Sequence, residues 1–304
     1  MNKMFNEIAD SCAWNIVQEV NKGWSNDKKY YIQAMDCREL LLRMSDISEY
    51  EKKKWEFEYL KKLDHIDVLM SRPIDFGICN NGQSVYSLLT WIEGEDAKDV
   101  IPTISKTDQY RLGVKAGEVL RKIHRVPAEN NQMSWAEVYN LKIDKYITNY
   151  KACGIHLKGA ESIINFVEHN RYLLENRSVS FQHGDYHVGN MIVTNSSDLG
   201  IIDFNRVDDG DPWEEFNRIT WDASLSGLFA SGRINGYFNN DVPDQFFRLM
   251  ALYIASNQLS SIHWAIPFGQ EEVDIMLERA GNVLNWYDEF RTYVPNWYLA
   301  NYTI

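Results

Sequence analysis

Over residues 14–44 apolar and polar positions alternate with the period of β-strands, in Trp14-Asn15-Ile16-Val17-Gln18-Glu19-Val20, in Tyr30-Tyr31-Ile32 and in Leu40-Leu41-Leu42-Arg43-Met44. The polar run Asn21-Lys22-Gly23-Trp24-Ser25-Asn26-Asp27 divides the first two, so three antiparallel strands are the simplest reading. Over 48–63 the period changes, and Trp55, Tyr59, Leu60 and Leu63 share one helical face among charged residues. This predicts a helix packed on the sheet. A further strand is predicted over 84–92, and the change of composition at Glu93-Gly94-Glu95-Asp96 marks a hinge between lobes.

Beyond the hinge the pattern becomes helical. Leu112, Ala116, Val119, Leu120 and Ile123 fall on one face between Thr107 and His124, and Pro127 closes that segment. Helices are also predicted over 134–151, 160–175, 213–229, 243–264 and 271–290. One exception stands among them: residues 191–194 and 199–202 read as a short hairpin across Asn195-Ser196-Ser197-Asp198.

Composition adds limits to this outline. The 304 residues are 45% hydrophobic and 24% charged, values of a fully folded globular chain, and the length suits two lobes around a cleft. Glu7, Asp10 and Glu19 rule out the apolar core of a secretory signal, and no apolar run reaches the length of a bilayer span, so a soluble cytoplasmic protein is expected. Cys12, Cys37, Cys79 and Cys153 are scattered without a Cys-x-x-Cys pair, which argues against a disulfide framework or a structural zinc site. The net charge of −12 is uneven: residues 203–304 hold 6 Lys+Arg against 15 Asp+Glu. Such a field repels nucleic acid and anionic lipid, so neither is expected as a partner, and it draws cations to any cleft it lines.

The chemistry concentrates in His183-Gly184-Asp185-Tyr186-His187-Val188-Gly189-Asn190 and, after the predicted hairpin, Ile201-Ile202-Asp203-Phe204. The spacing His-x-Asp-x-x-x-x-Asn followed by Asp-Phe is that of protein-kinase-like phosphoryl transfer. Such transfer needs a carboxylate for the attacking hydroxyl, a task that suits Asp185, and oxygen ligands for Mg²⁺, a task that suits Asn190 and Asp203. A hairpin between them would fold residue 203 back beside residue 190. Two other readings exist. A plain turn could satisfy its own backbone with Asp185 and Asn190, but that leaves an acid after two buried isoleucines without a purpose. A metal hydrolase could use His183, Asp185 and His187, yet after His187 only His263 remains as a further histidine ligand.

These motifs resemble the aminoglycoside phosphotransferase family, relatives of the protein kinases that include choline and macrolide kinases. The resemblance runs from the strand around Ile16-Val17 to the C-terminal helices, and Gly210-Asp211-Pro212-Trp213-Glu214-Glu215-Phe216 is similar to the family's Asp-Pro-x-x-Asp-Leu segment, with Glu215 in place of the aspartate. It implies an α+β, protein-kinase-like two-lobed fold. Residues 1–93 would form a nucleotide-binding lobe with an antiparallel sheet and one helix, and 94–304 a larger, mainly helical lobe holding the catalytic hairpin and the substrate.

The resemblance also implies roles. Asp185 would be the catalytic base, and Asn190 and Asp203 the magnesium ligands. Arg43 stands where the family has a strand lysine that contacts the α- and β-phosphates, and Glu56 stands where an acid pairs with that cation; Arg keeps the charge but changes the geometry. Backbone around Gly23 and the Ser25 hydroxyl would approach the phosphates, and Thr90 and Ile92 would present their backbones to the base. The donor would be ATP or GTP. The acceptor would be a cationic small molecule, an aminoglycoside-type antibiotic first and otherwise choline, an amino sugar or another small hydroxylated amine, drawn by carboxylates and tryptophans of the last third. A monomer is expected, and a catalytically silent nucleotide-binding protein is the alternative of another class.

Overall fold

In this computed structural model residues 3–21, 27–129, 133–300 and 302 are described. The chain opens with β1 (Trp14–Glu19), β2 (Lys28–Ala34), β3 (Glu39–Asp46), α1 (Tyr50–Leu60), β4 (Pro73–Cys79) and β5 (Ser84–Thr90). The short β6 (Glu95–Asp96) and α2 (Ala97–Val100) precede the long helices α3 (Lys106–Ile123), α4 (Trp135–Ala152) and α5 (Ala160–Asn170). Then come β7 (Ser180–Gln182), β8 (Met191–Val193), β9 (Leu199–Ile201) and β10 (Asp208–Gly210). The chain finishes with α6 (Ile219–Leu225), α7 (Gly227–Phe238), α8 (Asp244–Ala265) and α9 (Gln270–Trp286). Among the described residues no helix is long and apolar enough to cross a membrane.

By its contacts the chain forms two units, Met1–Ala97 with Asn190–Val207, and Lys98–Gly189 with Asp208–Ile304. The hairpin expected within the C-terminal lobe thus groups with the N-terminal sheet. Backbone pairing explains why: β8 pairs with β6 as well as β9, and Ile201 exchanges backbone bonds with Leu69 and Ser71.

The first unit is an antiparallel five-stranded sheet in the order β1-β2-β3-β5-β4. Alternation along β3 divides its side chains. Leu40, Leu42 and Met44 join Trp14, Ile32 and Leu88 in one buried cluster, while Arg43 and Ser45 face the other way. On that second face they border a cleft with Lys53, Glu56 and Phe57 of α1. The strand β4 went unread in the sequence because it is an edge strand, where Pro73 is tolerated and burial does not alternate.

The second unit is built from helices with sequence-readable starts. Ser134 and Glu137 form a capping box at α4, and the Ser105 side chain accepts from Asp108 N–H at α3. Helices α3 and α7 cross with their backbones in contact. A Cβ added to Gly113 or Gly117 would stand 2.1 Å from the carbonyl oxygens of Phe229 and Arg233, and one added to Gly236 would stand 2.1 Å from that of Val114. Only glycine permits this approach. The helix predicted over 213–229 is instead a 3-10 turn (Glu214–Arg218), α6 and the start of α7. Ser226 makes the break, extended in backbone and capping Phe229 N–H with its hydroxyl. The segment predicted helical to 290 ends at Trp286, with Asp288, Glu289 and Phe290 in left-handed backbone.

Candidate active site

In the second unit the loop after β7 carries Asp185, and buried acids hold its backbone. Glu215 accepts from His183 N–H (2.8 Å) and Gly184 N–H (2.7 Å), and Asp222 accepts from Val188 N–H (2.8 Å). Ring nitrogens within the loop take two more amides, as His183 Nδ1 accepts from Asp185 N–H (3.2 Å) and His187 Nδ1 from Gly189 N–H (3.0 Å). The Tyr186 hydroxyl donates to Ala116 C=O of α3 at 2.7 Å. Gly184, at φ 80°, supplies the left-handed turn that points successive amides at Glu215.

These braces are themselves fixed. His124 Nε2 lies 3.1 Å from Glu215, and its Nδ1 lies 3.0 Å from the Tyr237 hydroxyl. Burial alone would raise the Glu215 carboxyl, but the His124 contact and the His183 amide outweigh it and hold the pKa below the usual value. Arg233, wholly buried between the rings of Tyr186 and Phe216, donates to Asp222 (2.7 Å) and to Glu215 C=O (3.1 Å). Such a buried pair is costly unless its remaining lone pairs are used, and here Asp222 spends its second oxygen on the loop.

With its backbone tied down, the Asp185 side chain stays 17% exposed, with Arg218 Nε at 3.3 Å and His187 Nε2 at 3.6 Å. The His187 ring stacks on Trp221 at 5.0 Å, and the Arg279 guanidinium lies 3.4 Å from the Trp221 centroid. The His183 Nδ1 lone pair is spent on an amide, which weakens the metal-hydrolase reading at that residue.

In the first unit Arg43 and Asp203, 160 positions apart in sequence, meet at 2.5 Å between Nη1 and Oδ1. The β8–β9 hairpin performs this. Met191 pairs with Ile201, and Ile202 N–H donates to Asn190 C=O, so Asn190 and Asp203 flank the same rung. Asp203 takes left-handed backbone at φ 68°, which a short polar side chain tolerates. The donor set of a buried amide and a carboxylate is hard oxygen, as Mg²⁺ requires, and two such ligands suit an ion shared with phosphates rather than a closed protein cage. The residues therefore fit the ion.

Glu56 bonds Lys53 Nζ at 3.3 Å and approaches Lys52 at 3.9 Å, while Arg43 bonds Asp27 through Nε (3.2 Å) and Nη2 (2.7 Å). Burial raises the Glu56 carboxyl above its usual pKa against the pull of Lys53. Thr90 ends β5 with its N–H on Arg72 C=O and its hydroxyl accepting from Arg72 N–H, and Ile92 packs over Gly200. Gly23 and Ser25 lie outside the described residues. Sequence reasoning missed Asp27, Lys53 and Arg218. The i, i+3 pairing of Lys53 with Glu56 was a usable signal for Lys53.

A model of the phosphotransferase enzyme family (APH) matches residues 16–247, about three quarters of the chain. Among curated proteins no sequence matches. Solved structures resemble the chain over nearly its whole length. The GDP complex of aminoglycoside 2'-phosphotransferase-IIIa superposes with a TM-score of 0.68 at 15% identity, covering 93% of this chain and 98% of that one. The ADP-bound aminoglycoside phosphotransferase APH(2'')-Ib gives 0.66 at 14%, with the same coverage. A thermostable mutant of aminoglycoside phosphotransferase APH(4)-Ia gives 0.65 at 13%, covering 89% and 94%. At these identities the likeness is one of fold, and the fold is the kinase-like α+β arrangement expected from the sequence.

Proposed function

The chain belongs to the phosphotransferase enzyme family, and from that premise we propose that it moves the γ-phosphoryl group of ATP or GTP onto a hydroxyl of a cationic small molecule. In this reading Arg43, Asn190 and Asp203 of the first unit serve the donor, and Asp185 of the second serves the acceptor. Asp185 accepts a hydrogen bond from the attacking hydroxyl and orients it in line with the phosphorus, taking its proton as the bond forms. Asn190 and Asp203 would hold Mg²⁺, which when bound neutralises phosphate charge. The Arg43 guanidinium binds phosphate oxygens, and Thr90 and Ile92 would receive the base. The observation that carries this reading is the presentation of Asp185: two buried acids hold its loop while its own carboxylate remains accessible.

An aminoglycoside-type antibiotic is the first acceptor class. The excess of acid in residues 203–304 supports a polycation, and solved relatives include complexes of streptomycin and gentamicin. Such an enzyme would confer resistance. A metabolic kinase of choline, an amino sugar or another small hydroxylated amine is favoured instead by Arg218 and Arg279 in the surroundings of Asp185, which oppose several ammonium groups close to the reacting hydroxyl. Triphosphate consumption, measured with Mg²⁺ against panels of aminoglycosides and of small hydroxylated amines, distinguishes the two. The kinase reading predicts acceptor-dependent release of nucleoside diphosphate with one panel, and its absence with every acceptor would leave a silent nucleotide-binding protein.

A further inference from the structure

The Asp27 carboxylate is held as a bound anion would be. Its Oδ2 accepts from Arg43 Nε and Nη2 and from Lys53 Nζ at 3.1 Å, and its Oδ1 accepts from Ser45 Oγ at 2.7 Å. Four contacts from three side chains converge on one carboxylate that is 8% exposed. Burial alone would raise its pKa, but the charges of Arg43 and Lys53 and the bonds from Ser45 and Arg43 prevail and hold it at about 2. Asp27 is therefore ionised at every ordinary pH.

The donors come from two rigid elements. Arg43 and Ser45 lie on β3, and Lys53 lies on α1, one turn before the Glu56 that bonds it. The carboxylate itself lies one residue before β2 begins, so it can swing away without breaking a strand. A guanidinium fork, an ammonium and a hydroxyl around one oxyanion are also the donors that bind a phosphate group. A second oxyanion cannot share them at full strength, because two like charges within contact repel.

We propose that Arg43 and Lys53 together form a two-cation cradle for the donor's phosphates, and that Asp27 is its internal competitor, released when the triphosphate engages. This rests on the phosphoryl-transfer reading and adds to it a second phosphate-binding residue, Lys53, on the helix rather than the strand. The arrangement also gives Arg43 two distinct duties. Its Nη1 keeps hold of Asp203, and its Nε and Nη2 edge is the part that exchanges one anion for another.

The test compares binding of a non-hydrolysable triphosphate with binding of the parent nucleoside, by calorimetry on the full chain with magnesium present. Asp27→Asn keeps the shape and removes the competing charge, so triphosphate affinity should rise on the order of tenfold while nucleoside affinity stays unchanged. Lys53→Met should lower triphosphate affinity by a similar factor, again without effect on the nucleoside. Unchanged or weakened triphosphate binding in Asp27→Asn would overturn the competitor role and is the result expected of a metal ligand. Unchanged binding in Lys53→Met would overturn the cradle. Thermal unfolding monitors both variants, and if Asp27→Asn does not fold, Lys53→Met decides alone. Wild-type protein that binds no non-hydrolysable analogue of either ATP or GTP would refute the kinase reading itself, an outcome separate from the others.

Discussion

Around Asp185 buried side-chain charges grip the polypeptide backbone, whereas around Arg43 side chains grip one another. In the first case Glu215 and Asp222 take main-chain amides of the loop, and each acid is locked from behind by His124 or Arg233. Moving Asp185 would break several buried bonds together. In the second case Asp27, Arg43, Lys53, Asp203 and Glu56 form ion pairs whose members can change partner by rotating side chains, with β3 and α1 left in place. The difference teaches how labour divides in a transfer enzyme of this kind. A group that orients a hydroxyl gains from a fixed position, and groups that receive and release a highly charged donor gain from exchangeable contacts.

The contrast can be broken most severely at Asp185. Asp185→Ala should lower turnover by roughly two to four orders of magnitude while changing triphosphate affinity by no more than about twofold. Full turnover in single-turnover kinetics would remove Asp185 from the chemistry. Asp222→Ala attacks the brace instead, leaving Arg233 charged, buried and unpaired, and should cost about 3–5 kcal/mol in denaturant unfolding. A cost under about 1 kcal/mol would show that the loop does not depend on it. The smallest effect on stability is that of Asp27, and its pH dependence falls in acid. Its folded pKa of about 2 lies below the ordinary 3.8, so the stability it contributes is complete above pH 3.8 and is lost as pH falls toward 2. Wild-type protein should therefore lose stability relative to Asp27→Asn across that window, and parallel acid-unfolding curves would contradict the ion-pair geometry.

Much of this architecture was readable in the chain, and the failures share a cause. Strands β1, β2, β3 and β5 and helices α3 and α4 announce themselves by period, and the loop of Asp185 by its residue spacing, because those signals are local. What could not be read depends on distant partners. Glu215 registered only as a substitution in a familiar segment, since nothing nearby in sequence says that it would reach two amides 31 and 32 positions away. Asp27 lay at the end of a polar run that any hairpin turn could use, and Arg43 looked suited to Glu56 until Lys53 took that acid. The break at Ser226 was hidden because the apolar pattern continues on both sides of it, and only the hydroxyl cap reveals a new start.

The glycine crossing of α3 with α7 bears on how this protein could be altered. Tyr186 reaches a carbonyl of α3 and Arg233 projects from α7, so both supports of the Asp185 loop inherit their spacing from a place where two main chains touch. Under the proposed function, a library aimed at new acceptors would do well to leave those three glycines alone and vary Arg218, Trp221 and Arg279 around Asp185. Widening the crossing by a single methyl would tilt the scaffold under Asp185, while the rim can be recut with the scaffold standing.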